Sequence, residues 1–258
     1  MKSIVILSGG LDSTTLLHYI VKELKEKVYP VSFIYGQKHS IEIEMAKEQV
    51  KILKDEGYNV NDLKIINMDF MNELLKGSSA LVDNDIDIPT LEEVLGEPQP
   101  ITYVPFRNLL FLSIALSYGE AVGAEKVYYG AQRHDEYSGY WDTTLCFVEK
   151  VNELVALNRL NKIRIVAPFV NLSKSEEIVI GKKLDIDYGK TWTCYEGMKD
   201  GKACGVCATC RDRIMAFVRA GEKDLIPYSV YINWDDLINK YKELDLDDYK
   251  NIVQKLEL

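Results

Sequence analysis

Two groups of residues in this chain have types and spacings that can do chemistry. The first is the string LSGGLDSTT at residues 7–15, where two glycines and an acid sit among hydroxyl side chains, directly after the apolar run SIVIL. If that run is a strand and STTLLHYIVKELKEK a helix, the loop between them presents unpaired N–H groups at the positive end of the helix dipole, an arrangement that binds phosphate. Ser8, Ser13 and Thr14 add hydroxyl donors, and Gly9 and Gly10 let the backbone approach an anion closely. The string is not G-x-x-x-x-G-K-[ST], because no lysine follows, nor is it G-x-G-x-x-G. A plain turn at Gly9 and Gly10, with Asp12 or Ser13 capping the helix, is the competing reading.

The second group is Cys194, Cys204, Cys207 and Cys210, spaced C-x9-C-x2-C-x2-C and comprising four of the five cysteines. Four thiolates in so short a segment can enclose one Zn2+ tetrahedrally, with Gly201 and Gly205 permitting the turns. Four sulfur ligands leave no open position for water, so such a zinc is structural; an iron–sulfur cluster or unligated core thiols are the alternatives. The apolar part of MKSIVILSGG is too short for a signal peptide, and clustered cysteines without one favour metal over disulfides. Cys146, in TTLCFVEK, reads as a small apolar residue on a helix face.

The elements that must position these groups follow a repeating pattern. SIVIL, VYPVSFIY, LKIINM, EKVYYGA and KIRIVAPF read as strands, and the segments between and after them carry apolar residues at helical spacing. Near-continuous apolar strands alternating with helices predict an α/β fold, a parallel sheet with helices on both faces. Ligands then bind beyond the carboxyl ends of the strands, so the loops after Leu7, Tyr35, Asn67, Gly130 and Pro168 are expected to converge. Residues 77–104, rich in Gly, Ser, Asp and Pro, read as a lid or loop. The expected organisation is an α/β body over 1–190, a zinc knuckle with its helix over 191–220, and a tail of one or two amphipathic helices over 221–258.

With 258 residues, 47% apolar and 28% charged, the chain can bury a full core. A net charge of -9 provides no broad basic field, so neither nucleic acid nor an anionic membrane is an expected partner and any polyanion must be held locally. The longest apolar run, LLFLSIAL, cannot span a bilayer, and a cytoplasmic enzyme is expected.

SGGLDS after a first strand resembles the pyrophosphate loop of the N-type ATP pyrophosphatases. Together with YGQKH, YVPFRNLLFLS, DEYSGYWD, APFVNLSKSE and TWTCYEG...CGVCATCRDR, in that order, it makes residues 2–220 similar to the QueC family of 7-cyano-7-deazaguanine synthases. The resemblance implies an adenine nucleotide alpha hydrolase-like, Rossmann-like fold and a cytoplasmic ligase of the queuosine pathway. It implies that ATP adenylates 7-carboxy-7-deazaguanine, that ammonia displaces AMP to give the amide, and that a second activation dehydrates the amide to the nitrile. A homodimer is also implied. On this resemblance ATP would meet Ser8, Gly9, Gly10, Leu11, Asp12, Ser13, Thr14 and His39, with Asp12 acting through Mg2+. Asp12, Ser13, Lys174 and Arg107 would form the catalytic set, the two cations facing the departing pyrophosphate. Asn108, Asp135, Tyr140, Asp142 and Tyr195 would meet the base, where carboxylates accept from a guanine edge and tyrosine stacks.

Blander readings stand beside several of these. Lys174 is otherwise a surface lysine at a helix start, Arg107 a buried ion pair, His39 a helix cap, and His18 a core histidine. The chain also departs from the family pattern, with VPFRN where VPGRN is usual and GYWDTT where GYPDCR is usual. The second change removes an arginine of the kind that recognises a carboxylate. With a tail longer than the family leads one to expect, this leaves room for a paralogue that activates the same deazaguanine carboxylate and passes it to another amine, such as a protein terminus.

Overall fold

Successive residues of the first strand, β1 (Lys2–Ile6), face opposite cores. Ile4 packs with Val31, Val127 and Ile165 in one buried cluster, and Val5 joins Leu16, Leu17 and Ile178 in the other. A strand buried on both faces needs helices on both, and the computed structural model, which describes residues 1–36, 41–83, 85–89, 100–132, 140–159, 162–196 and 200–258, has them. The strands β1, β2 (Lys27–Ile34), β3 (Lys64–Asn67), β4 (Lys126–Tyr128) and β5 (Arg164–Val166) form one sheet in the order β3-β2-β1-β4-β5, all neighbours parallel. The α/β fold expected from the alternating pattern is the one that forms.

Helices α1 (Leu11–Lys22), α2 (Ile41–Asp55), α6 (Lys174–Lys183) and α7 (Ala208–Arg219) contribute to the core that holds Val5. Helices α3 (Phe70–Leu74), α4 (Arg107–Val122) and α5 (Leu145–Val155) cover the other face. The chain runs outward from β1 through β2 to β3, then returns to the opposite side of β1 as β4. This reversal opens a crevice between the carboxyl ends of β1 and β4, the usual ligand position in such a sheet. The outermost strand β3 lies away from the reversal.

His18, on α1, is a core histidine: it is buried, its Nε2 lies 2.9 Å from Gln49 Oε1, and burial pushes its pKa down to about 4. The C-terminal tail forms α8 (Trp234–Tyr241) and α9 (Tyr249–Val253) and folds back on the body. Ile252 is buried in the first core, Glu257 N donates to Pro168 O (3.2 Å), and Lys255 pairs with Glu176 at the start of α6. Ile252 and, in part, Trp234, Leu244, Tyr249, Val253 and Leu256 are therefore packing surface, whereas Leu225, Tyr231 and Leu246 stay exposed. No helix among the described residues is long and apolar enough to cross a membrane.

Arg213 of α7 fastens the knuckle region to the body. It is fully buried and uses all five of its N–H donors. Nε and Nη2 reach the two carboxylate oxygens of Asp224 (2.6 and 2.9 Å), Nη1 reaches Thr191 Oγ1 (2.9 Å) and Thr193 Oγ1 (3.0 Å), and Nη2 also reaches Tyr188 O (3.0 Å). Arg213→Met strands the buried Asp224 carboxylate and is expected to cost about 3–5 kcal/mol in urea unfolding. The double variant Arg213→Met/Asp224→Leu, which strands no charge, is expected to lose less than Arg213→Met alone.

Candidate active site

The loop after β1 is shaped by what presses on it. Gly9 has φ +88°, and a Cβ there would lie 2.1 Å from Glu42 O and 2.8 Å from Ala46 N, both backbone atoms of α2, so no side chain fits. From the other side Trp192 N donates to Gly9 O (3.0 Å). Gly10 is the N-cap of α1 and supplies no side-chain cap, so neither Asp12 nor Ser13 caps the helix. Ser13 Oγ instead accepts from Ser8 N (3.1 Å) and lies 3.0 Å from Ser8 Oγ. The amides of Leu11, Asp12 and Ser13 have no acceptor among the described residues, which is the state of a helix start open to an anion. Leu11 and Thr14 turn their side chains into the protein and are buried.

Lys174 reaches this loop from the start of α6. It is 6% exposed, which sets aside the surface-lysine reading. Its ammonium lies 4.0 Å from Asp12 Oδ1 and bonds to Asp212 of α7. With the Gln132 amide oriented to satisfy its neighbours, Gln132 O accepts from Lys174 Nζ (3.1 Å) and its NH2 donates to Glu177 Oε1 (2.9 Å). Glu177 is fully buried, and burial, reinforced by the Asp12 charge, pushes its carboxyl well above the usual range. Burial also raises the Asp12 carboxyl, against the pull of Lys174, and Asp12 Oδ1 has no hydrogen-bond partner.

Ser8, Asp12 and Ser13 open onto a cavity of about 230 Å³ beside the carboxyl ends of β1, β2 and β4. Arg107, Asn108, Glu42 and Thr143 also line it, among the rings of Phe33, Tyr35, Phe111 and Tyr129. Loops after β1, β2 and β4 converge as expected; among the described residues neither the loop after β3 nor that after β5 lines the cavity, although the helix that follows β5 brings Lys174 to Asp12. Arg107 Nη1 donates to Tyr35 Oη (3.0 Å) with its guanidinium over that ring, and among the described residues no carboxylate forms an ion pair with it. Asp142 is buried with Oδ1 unpartnered, its backbone carbonyl accepting from Tyr129 Oη (3.0 Å). Tyr140 Oη bonds Thr102 Oγ1 (2.6 Å), and Tyr195 packs between two cores. His39 and Asp135 lie outside the described residues. Glu42, Gln132, Glu177 and Asp212 were not singled out by the sequence; each sits in a helix start or loop where polar residues are ordinary.

The four cysteine sulfurs lie within 4.8 Å of one another and none forms a disulfide. Tetrahedral Zn–S bonds of about 2.3 Å would place them about 3.8 Å apart, so the group can hold a metal. Backbone amides already point at sulfur: Cys204 N at Cys194 Sγ (3.4 Å), and Val206 N and Cys207 N at Cys204 Sγ (3.4 and 3.3 Å). Such donors stabilise thiolate. Gly205, at φ +77°, makes the turn between Cys204 and Cys207.

The two departures from the family pattern meet in space. Phe106 takes the left-handed conformation (φ 51°, ψ 17°), which costs a side-chain-bearing residue about 1–2 kcal/mol and glycine nothing. Its ring contacts Trp141 edge to face, with centroids 5.6 Å apart. Thr144, where the family arginine would stand, caps α5 by accepting from Phe147 N (3.2 Å).

Against known proteins, residues 2–221 match the family described as queuosine biosynthesis protein QueC. The chain belongs to the QueC family. It is 42% identical over 229 residues to the 7-cyano-7-deazaguanine synthase of Oceanobacillus iheyensis, covering 88% of this chain and 98% of that one. The corresponding synthase of Clostridium kluyveri is 43% identical over 233 residues, 88% of this chain and 97% of its own. That of Picrophilus torridus is 41% identical over 249 residues, 95% of this chain and 98% of its own, so the match to this QueC protein runs well into the tail.

Glu42 gives the QueC cavity a measurable pH signature. Burial pushes its carboxyl from about 4.5 up to about 7, against the pull of Arg107. The folded state therefore holds a proton that the unfolded state has released, and stability falls as pH rises through that window. Relative to wild type, Glu42→Gln is expected to gain about 1–3 kcal/mol between pH 4.5 and pH 8 in denaturant unfolding.

Proposed function

We propose that this protein is a 7-cyano-7-deazaguanine synthase, an ATP-dependent carbon–nitrogen ligase. The observation that carries the reading, within the family relationship, is that a helix start beside Lys174, whose amides have no protein acceptor among the described residues, opens onto the same cavity as Arg107 and Asn108. A carboxylate resists amine attack because oxide is a poor leaving group, whereas an acyl adenylate carries AMP. The carboxylate of 7-carboxy-7-deazaguanine attacks the α-phosphorus of ATP and pyrophosphate leaves. Ammonia then attacks the acyl carbon, AMP departs, and a proton is lost. In a second round the amide oxygen attacks the α-phosphorus of ATP and pyrophosphate leaves; loss of both N–H protons and departure of AMP, which carries the amide oxygen away, give the nitrile.

Stabilising the departing pyrophosphate is the main electrostatic task. The amides of Leu11, Asp12 and Ser13, the hydroxyls of Ser8 and Ser13 and the Lys174 ammonium serve it. The unpartnered Asp12 Oδ1 fits a magnesium ion, which would neutralise phosphate charge. The Arg107 guanidinium, which donates to Tyr35 through Nη1, keeps further donors for the substrate carboxylate. Asn108 and Asp142 meet the base edge. The four cysteines hold zinc as a structural ion that fastens residues 191–210, and the molecule works as a homodimer.

Incubating the protein with 7-carboxy-7-deazaguanine, ammonia and Mg-ATP is expected to yield amide and then nitrile by mass spectrometry, with two AMP released per nitrile. Amide that never becomes nitrile, or transfer of the acyl group to a protein amine, would reject this reading. Lys174→Met is expected to lower kcat/KM about 100-fold or more, because the phosphate charge then develops without its buried counterion. Metal analysis is expected to find one zinc per chain and to lose it in Cys207→Ser.

A further inference from the structure

Among the described residues that combine a positive φ with a side chain, Lys25, Asp185 and Asp200 are polar and Phe106 is the aromatic one. Burial does not explain its strained backbone, because the ring remains 56% exposed. What holds it is a small network. Tyr103 Oη accepts from Phe106 N (3.1 Å) and from Trp141 Nε1 (3.2 Å), so one oxygen fixes both residues. The Phe106 and Trp141 rings meet at 71°, and Trp141 meets Phe147 of α5 at 88° with centroids 5.4 Å apart, both edge-to-face contacts. Neither Phe106 nor Trp141 lines the cavity, yet each sits beside residues that do: Phe106 directly precedes Arg107 and Asn108, and Trp141 begins the turn that carries Asp142 and Thr143.

We propose that Phe106 and Trp141 form an aromatic clasp that locks the start of α4 to the turn at 141–143, fixes Arg107 and Asn108 relative to Thr143, and so sets the affinity for the planar base. Both are positioning residues, since they act through their neighbours. The phosphate loop and Lys174 are carried by α1 and α6 and do not depend on the clasp, so ATP binding is left alone. Strain at Phe106 is the mark of a local geometry maintained by surrounding contacts. This inference rests on the proposed synthase reading for the identity of the base.

The test is steady-state kinetics on Phe106→Gly, Trp141→Ala, Trp141→Phe and the double variant Phe106→Gly/Trp141→Ala, with calorimetric binding of 7-carboxy-7-deazaguanine in the absence of ATP. Phe106→Gly and Trp141→Ala are each expected to raise the base KM and Kd about tenfold while the ATP KM stays within about twofold. The double variant is expected to match Trp141→Ala alone, because a clasp opens once. Trp141→Phe keeps a ring against Phe106 and should stay within about threefold of wild type. Phe106→Gly should melt no lower than wild type, since glycine adopts φ 51° freely, which separates lost positioning from unfolding. Equal base affinity in wild type and variants, no base binding at all, an equal rise in the ATP KM, or additive losses in the double variant would each overturn the clasp. Base binding that follows this pattern, without base-dependent pyrophosphate release, would support the clasp and overturn the proposed reaction instead.

Discussion

The carbonyl of Glu42 occupies the space where any side chain at position 9 would lie, and the site is assembled around that contact. The glycine at φ +88° lets the loop after β1 press against the backbone of α2, and Trp192 closes on it from the opposite side through its amide. The Trp192 segment is itself anchored by Arg213, through Thr191, Thr193 and the Tyr188 carbonyl. Two residues further along, Cys194 enters the cysteine group. A metal held there would act at a distance, holding a strap that holds a loop. The first helix starts with free amides because its surroundings, rather than a capping side chain, fix where it begins.

Electrostatics divide the site into two ends. At the loop, a buried ammonium stands among the carboxylates of Asp12 and Asp212, and burial pushes the neighbouring Glu177 carboxyl well above its usual range. On the proposed reading, a phosphate arriving there would meet a cation whose present partners are acids, and the unpartnered Asp12 oxygen would take a divalent cation. At the other end the charges are Arg107 and Glu42 among aromatic rings, an environment for a flat, polar heterocycle. The proposed reaction between ATP and a base carboxylate would need such a chamber, with the phosphates at the loop end and the base among the rings.

How much of this was readable from the sequence depends on how local the determinant is. The phosphate loop and the cysteine group are short contiguous strings whose glycines and sulfurs have few other uses, and the fold follows from alternating apolar runs. Glu176 and Glu177 show where legibility ends. They are adjacent acids in a helix's first turn, yet Glu176 closes a capping box with Ser173 and pairs with Lys255, while Glu177, rotated about 100° around the helix, is buried beside Asp12. Only packing distinguishes them. Among the described residues the loop after Asn67 contributes none to the cavity, since β3 lies two strands from the reversal at β1 and β4, and strand order is not written in periodicity. Nor does VPFRN disclose that its phenylalanine is left-handed or that it meets Trp141.

The most direct measurement is a crystal structure of the protein with a non-hydrolysable ATP analogue and 7-carboxy-7-deazaguanine bound together. The account predicts phosphate oxygens on the amides of Leu11, Asp12 and Ser13 with Lys174 alongside, and the base in the same cavity with its carboxylate on Arg107. Phosphates bound away from the loop after β1, or a base lodged outside the chamber that Arg107 and Thr143 line, would contradict it.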